Sequence, residues 1–145
     1  MSPESDIHFL LVEDDPDHAE LVSYSLEKGW DGNIVTHVSD GVEALNYLRK
    51  RPPYRHVPTP NVVILDLKMP KIDGFEVLER IRSNPRLKDL QVVILTSSRD
   101  TRDLERAKIF DPAGYLIKPV DSDQFNKLIK ELSTRLDAEV VPAGE

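Results

Sequence analysis

Five short apolar runs punctuate the chain, and longer stretches with apolar residues at helical spacing alternate with them. Ile7–Val12, Asn33–Val38, Val62–Leu65, Gln91–Thr96 and Gly114–Ile117 are rich in branched residues and read as strands. Val62–Leu65 holds no polar residue, which predicts burial on both faces, whereas Asn33–Val38 alternates and predicts one wetter face. Asp15-Pro16 is a capping acid followed by proline, so a first helix is expected from there through Lys28, with Ala19, Val22 and Leu26 inward and Gly29 ending it. Asp40-Gly41 opens a second helix with Val42, Leu45 and Leu48 as its stripe, and Arg49-Lys50-Arg51 completes it where cations favour the helix dipole. A third runs from about Gly74 to Ser83 on Phe75, Val77, Leu78 and Ile81, with Pro85 forcing its end. Asp100 caps a fourth, polar helix that ends near Phe110. The last, from about Ser122 to Leu136, has the clearest stripe: Phe125, Leu128, Ile129, Leu132 and Leu136.

Strands and helices that alternate on this scale imply an α/β fold. Right-handed crossovers then give a five-stranded, doubly wound parallel sheet, (βα)5, with helices on both faces. The chain reads as a single domain over 1–145, with a core of about 6–136 and a frayed tail over 137–145. The proline-rich segment Pro52–Pro60 excludes regular helix or central strand and is expected to be an extended connection. Composition narrows the chemistry. The formal charge of −7 argues against general nucleic-acid or acidic-membrane binding. The chain has no cysteine, so disulfides, thiolate catalysis and Cys-based zinc sites are excluded. No apolar run approaches the roughly 20 residues of a membrane span, and the N-terminus lacks a signal-peptide pattern, so a cytoplasmic location is expected.

The carboxyl ends of parallel strands form one rim, where such folds place their ligands. Strand one delivers Glu13, Asp14 and Asp15 there; strand three, Asp66; strand four, Thr96 with Ser97 and Ser98 behind it; strand five, Lys118. Each residue alone is explained by capping, strand termination or a solvated charge. Together, three or more carboxylates repel unless a cation neutralises them, and oxygen-only ligands point to a hard ion, Mg²⁺. A hydroxyl and an ammonium opposite the ion are what a phosphoryl group needs. The four histidines, His8, His18, His37 and His56, have no metal-ligand spacing and read as surface or edge residues. Trp30, beside Gly29, reads as packing.

Val12-Glu13-Asp14-Asp15, Leu65-Asp66-Leu67-Lys68-Met69-Pro70, Asp73-Gly74, Ile94-Leu95-Thr96-Ser97 and Gly114-Tyr115-Leu116-Ile117-Lys118-Pro119 together resemble the receiver domain of two-component response regulators. The resemblance covers nearly the whole chain and implies the flavodoxin-like strand order 2-1-3-4-5. It implies that Asp66 accepts a phosphoryl group from a phosphohistidine of a sensor histidine kinase. Asp14 and Asp66 would ligate Mg²⁺ directly, Glu13 through a water, and the backbone carbonyl of Lys68 would add a ligand. Lys118 would hold one phosphoryl oxygen, and Thr96 would turn to bond another. Tyr115 matches the aromatic switch residue, and Lys118-Pro119 would be cis. Asp15 is read as a cap, and Asp73-Gly74 as loop and helix-start geometry. Lys68 and Ser98 hold the positions that tune acyl-phosphate hydrolysis. Neither can orient water as an acid or amide would, so slow self-dephosphorylation is expected, and no enzymatic activity on other substrates. With the receiver filling the chain, the resemblance is to stand-alone regulators, and within them to those paired with bacterial phytochrome kinases. That narrower group implies a homodimer through the face of helix four, strand five and helix five, to which Phe110, Tyr115 and Val140-Val141 would contribute. Two rivals are disfavoured. An aspartyl-phosphate phosphatase of the haloacid-dehalogenase type would want an acid where Lys68 stands. A phosphate-independent interaction module on a receiver fold would not need the acid cluster, Thr96 or Lys118.

Overall fold

The structure is a computed structural model and describes residues 7–29, 33–69, 71–97, 101–121, 123–128 and 130–132. Strands β1 (His8–Val12), β2 (Ile34–Val38), β3 (Val62–Asp66), β4 (Gln91–Thr96) and β5 (Gly114–Ile117) pair in parallel in the order β2-β1-β3-β4-β5. Helices α1 (Pro16–Gly29), α2 (Gly41–Leu48), α3 (Gly74–Ser83) and α4 (Thr101–Lys108) connect them, and helical residues 123–128 and 130–132 form a fifth, α5. The register sets Leu65 opposite Ile94, Asp66 opposite Leu95, and Thr96 opposite Ile117, so the acid, the hydroxyl and the approach to Lys118 share one rim.

Successive strand side chains point to opposite faces, and this divides the core in two. Leu10, Val12, Val63, Leu65, Val92 and Ile94 pack with α2, α3 and Ala107 of α4. Phe9, Leu11, Val62, Ile64, Val93 and Leu95 pack with Ala19, Val22 and Leu26 of α1 and with Phe125, Leu128 and Leu132 of α5. The continuous apolar runs of β1, β3 and β4 are therefore spent on both faces, as expected. β2 is an edge strand, which explains why Ile34 is exposed despite its alternation.

Three local readings need correction. Val42 is exposed; α2 instead turns Gly41, Ala44, Leu45, Tyr47 and Leu48 inward, because Asp40, whose carboxylate accepts the Glu43 N–H at 2.8 Å, sets the helical phase. Arg49-Lys50-Arg51 does not complete α2. Arg49 is its C-cap, Lys50 has a positive φ of 58°, and its ammonium leaves to bond the Val57 carbonyl at 2.9 Å. That bond helps fold the proline-rich connection, which is not extended: Tyr54 N–H bonds Arg51 O, and Tyr54 and Val57 lean on the core. Its Pro52-Pro53 bond is cis, as is Lys118-Pro119. α3 follows its reading: Asp73 caps it through the Glu76 N–H, and it stops at Ser83 with Asn84 extended before Pro85. The expected Asp100 cap, Trp30, the end of the last helix and the Val140-Val141 tail lie outside the described residues.

Candidate functional site

β1 and β3 run side by side; Glu13 directly follows β1 and Asp66 ends β3, both buried within the rim. Asp14 follows, exposed, and one oxygen from each of the three acids lies within 4.8 Å of the others. Burial pushes the Glu13 carboxyl above its ordinary range, against the pull of the Lys118 ammonium and the Asp15 N–H. Lys118 lies between the acids. Its Nζ is 2.7 Å from Glu13 Oε1 and donates to Asp66 Oδ2 at 2.9 Å. Burial works against that ammonium, but the two carboxylates outweigh it and raise its pKa. Lys118 is aimed by the sheet, since its own N–H bonds the Thr96 carbonyl at 2.8 Å.

The other oxygens of Asp66 and Glu13 meet backbone donors. Asp66 Oδ1 accepts the Lys68 N–H at 3.0 Å, and Glu13 Oε2 accepts the Asp15 N–H at 3.0 Å. The Asp66 backbone is backed by Gly74, whose N–H bonds the Leu67 carbonyl at 3.0 Å. A Cβ at residue 74 would lie 2.5 Å from the Asp66 carbonyl oxygen, so only glycine permits this approach. Asp15 caps α1 with Oδ1 on the Asp17 and His18 N–H groups, in keeping with its reading as a cap.

Three carboxylates against one ammonium leave a formal −2 at a cluster with oxygen donors only. That donor set suits a hard divalent cation such as Mg²⁺, and Lys118 already serves as a tethered counter-ion there.

Thr96 is fully buried at the end of β4. Tyr115 sits partway along β5 against the core, and its buried hydroxyl has no hydrogen-bond partner among the described residues. Ser98 lies outside the described residues. Sequence reasoning missed several neighbours. His18 Nδ1 lies 3.1 Å from Lys118 Nζ, and His37 Nε2 lies 2.7 Å from the Glu13 carbonyl oxygen, so two histidines read as surface or edge residues touch the site. For His18 the available signal was its place one helical turn after Asp14. Lys68 and Asp103 of α4 approach to 3.3 Å, a contact no local pattern announces. Beside Lys118 and His18 opens a cavity of about 410 Å³ with an apolar wall of Leu21, Val22, Val120 and Phe125.

The sequence profile of the response regulator receiver domain matches residues 9–130. The chain belongs to that family. Among receivers, it is 38% identical to the probable methanogenesis regulatory protein FilR2 of Methanothrix harundinacea, across 91% of this chain and 84% of that one. The bacteriophytochrome response regulator AtBRR is similar in structure, with 43% identity, a TM-score of 0.77, and 88% and 92% of the two chains covered. Response regulator Rcp1 of Synechocystis sp. is 33% identical over 93% of this chain and 92% of its own. Its Mn²⁺-bound crystal structure matches with a TM-score of 0.77 at 32% identity, covering 94% and 97%. The receiver fold and the strand order expected from the resemblance are thus borne out.

Proposed function

We propose that this receiver takes a phosphoryl group from a phosphohistidine of a sensor histidine kinase onto Asp66. The observation that carries the reading is the contact set of Asp66: a buried carboxylate with Lys118 on one oxygen and a backbone N–H on the other, inside a three-acid cluster. An Asp66 oxygen attacks phosphorus; the bond from phosphorus to the donor imidazole nitrogen breaks, and that nitrogen takes a proton. Positioning and charge neutralisation are what this transfer needs most. A divalent cation, held by Glu13, Asp14, Asp66 and the Lys68 carbonyl, would neutralise charge on the transferring group. Lys118 moves from Glu13 toward a phosphoryl oxygen, and the Thr96 hydroxyl bonds a second one. Tyr115 then packs into the space Thr96 leaves, which alters the β4–β5 surface. The apolar cavity beside Lys118 offers the kinase a wall to dock on. Lys68, lacking an acid or amide, leaves the acyl phosphate long-lived. The likeness to bacteriophytochrome response regulators supports a phytochrome kinase as the donor.

The test is phosphotransfer from purified kinases, phytochrome kinases among them, to the native chain and to Asp66→Asn. The reading expects Mg²⁺-dependent transfer to the native chain alone, and a bound phosphoryl group that outlasts minutes. Transfer that survives Asp66→Asn would mean that the acceptor is another residue.

A further inference from the structure

α4 is the helix least held by the core. Ala107 is its one buried residue, and its other positions are largely charged. An ion pair ties it to the loop that follows Asp66, and a cation–π contact ties it to Phe75 at the start of α3. Lys68 Nζ lies 3.3 Å from Asp103 Oδ2, and the Arg106 guanidinium sits 3.9 Å from the centre of the Phe75 ring. Asp103 is mostly covered at 19% side-chain exposure, whereas Lys68 is open at 61%. The acid is therefore the fixed half of the pair and the ammonium the movable half. A cavity of about 380 Å³ lies beside the pair, lined by Leu67, Lys68, Phe75, Asp103 and Arg106, and gives the ammonium room to move.

Lys68 also touches the acceptor. Its backbone N–H bonds Asp66 Oδ1 at 3.0 Å, while its ammonium pairs with Asp103. A phosphoryl group on Asp66 carries a charge of about −1.5 to −2 where the free carboxylate carries −1, so the negative charge beside the Lys68 backbone rises. We propose that the Lys68–Asp103 pair is a charge latch that docks α4 on the acceptor loop, and that the phosphoryl group opens it by competing with Asp103 for the Lys68 ammonium. This rests on Asp66 being the acceptor and adds a regulatory route to that site. The opened latch removes the ion pair that ties α4 to the loop, while Ala107 and the Arg106–Phe75 contact remain. By linkage, whatever frees Lys68 from Asp103 must favour the phosphorylated state to the same degree that phosphorylation frees α4.

Beryllofluoride, which mimics a phosphoryl group on a carboxylate, gives an equilibrium test in Mg²⁺ by calorimetry. Asp103→Asn keeps the shape of the side chain and removes its charge, so it should bind the probe about two- to fivefold tighter than the native chain, the worth of one exposed ion pair. In a Lys68→Met background, Asp103→Asn should change nothing. Amide exchange over 101–108 should be faster in Asp103→Asn before the probe is added, and should rise on probe binding in the native chain only. Equal affinities for the native chain and Asp103→Asn, or a tightening that persists with Lys68→Met, overturn the latch. Failure of the native chain to bind the probe at all overturns the acceptor assignment and the latch with it.

Discussion

α3 and α4 flank the same acceptor loop and are held by different physics. α3 buries Phe75, Val77, Leu78 and Ile81, and its first residue, Gly74, lies against the backbone of Asp66 and Leu67. α4 buries Ala107 alone; an ion pair carries it to the loop and a cation–π contact carries it to Phe75 of α3. Packing of the first kind is dense and intolerant of small shifts; exposed charge contacts are weak and respond to new charge. On the proposed reading, one loop can both aim Asp66 and report its state. The α3 side holds Asp66 still, and the α4 side has little to lose when the charge at Asp66 changes.

Substitutions should reveal this asymmetry, with the largest effects on the α3 side. Ile81→Ala removes a fully buried side chain and should lower unfolding free energy by about 2–5 kcal/mol in urea titration. A loss comparable to that of an exposed site would mean that α3 is not the anchored helix. Gly74→Ala forces a methyl against the Asp66 carbonyl and should cost about 1–3 kcal/mol while also lowering the phosphorylation rate, since the strand end must shift. Full phosphorylation by that variant would dissociate the aim of Asp66 from α3. On the other side, Arg106→Ala removes the cation–π contact and should cost only about 0.5–1 kcal/mol, with faster amide exchange confined to α4.

The smallest effect concerns pH. Burial raises the Tyr115 phenol above its ordinary value of 10.0, with Glu105 and Asp111 adding to the rise. The folded chain thus holds the proton more tightly than the unfolded one. That contribution is intact below pH 10.0 and is lost as pH rises through the folded value. Tyr54 and Lys118 are raised too, so the measurement is the difference between the native chain and Tyr115→Phe in stability above pH 10. Parallel curves would show that Tyr115 keeps no proton advantage.

Much of this was legible in the sequence because the strongest signals are local. Unbroken apolar runs gave β1, β3 and β4, and Asp15-Pro16 and Asp73-Gly74 marked the starts of α1 and α3. The rim residues Glu13, Asp14, Asp66, Thr96 and Lys118 followed from the rule that parallel strands share their carboxyl ends. What local pattern could not show depends on tertiary approach. Val42 has the residue type of a core position but falls outside the phase that the Asp40 cap imposes on α2. Pro52–Pro60 lacks regular structure, yet its turns are fixed by Tyr54, Val57 and the Lys50 ammonium, contacts that a proline count cannot foresee. Lys68 was read by its distance from Asp66 in the chain, and its partner Asp103 comes from the next crossover. His18 shows the same limit: its contact with Lys118 spans 100 positions.

The central claim is that Asp66 is the residue that takes the phosphoryl group, and chemical trapping tests it most directly. After phosphorylation in Mg²⁺, borohydride reduces an aspartyl acyl phosphate to homoserine, which peptide mass spectrometry can locate. The account predicts homoserine at position 66 in the native chain, and its absence when the phosphodonor or Mg²⁺ is omitted. Homoserine at Asp14 or another acid, or phosphorylation with no reducible acyl phosphate, would contradict it.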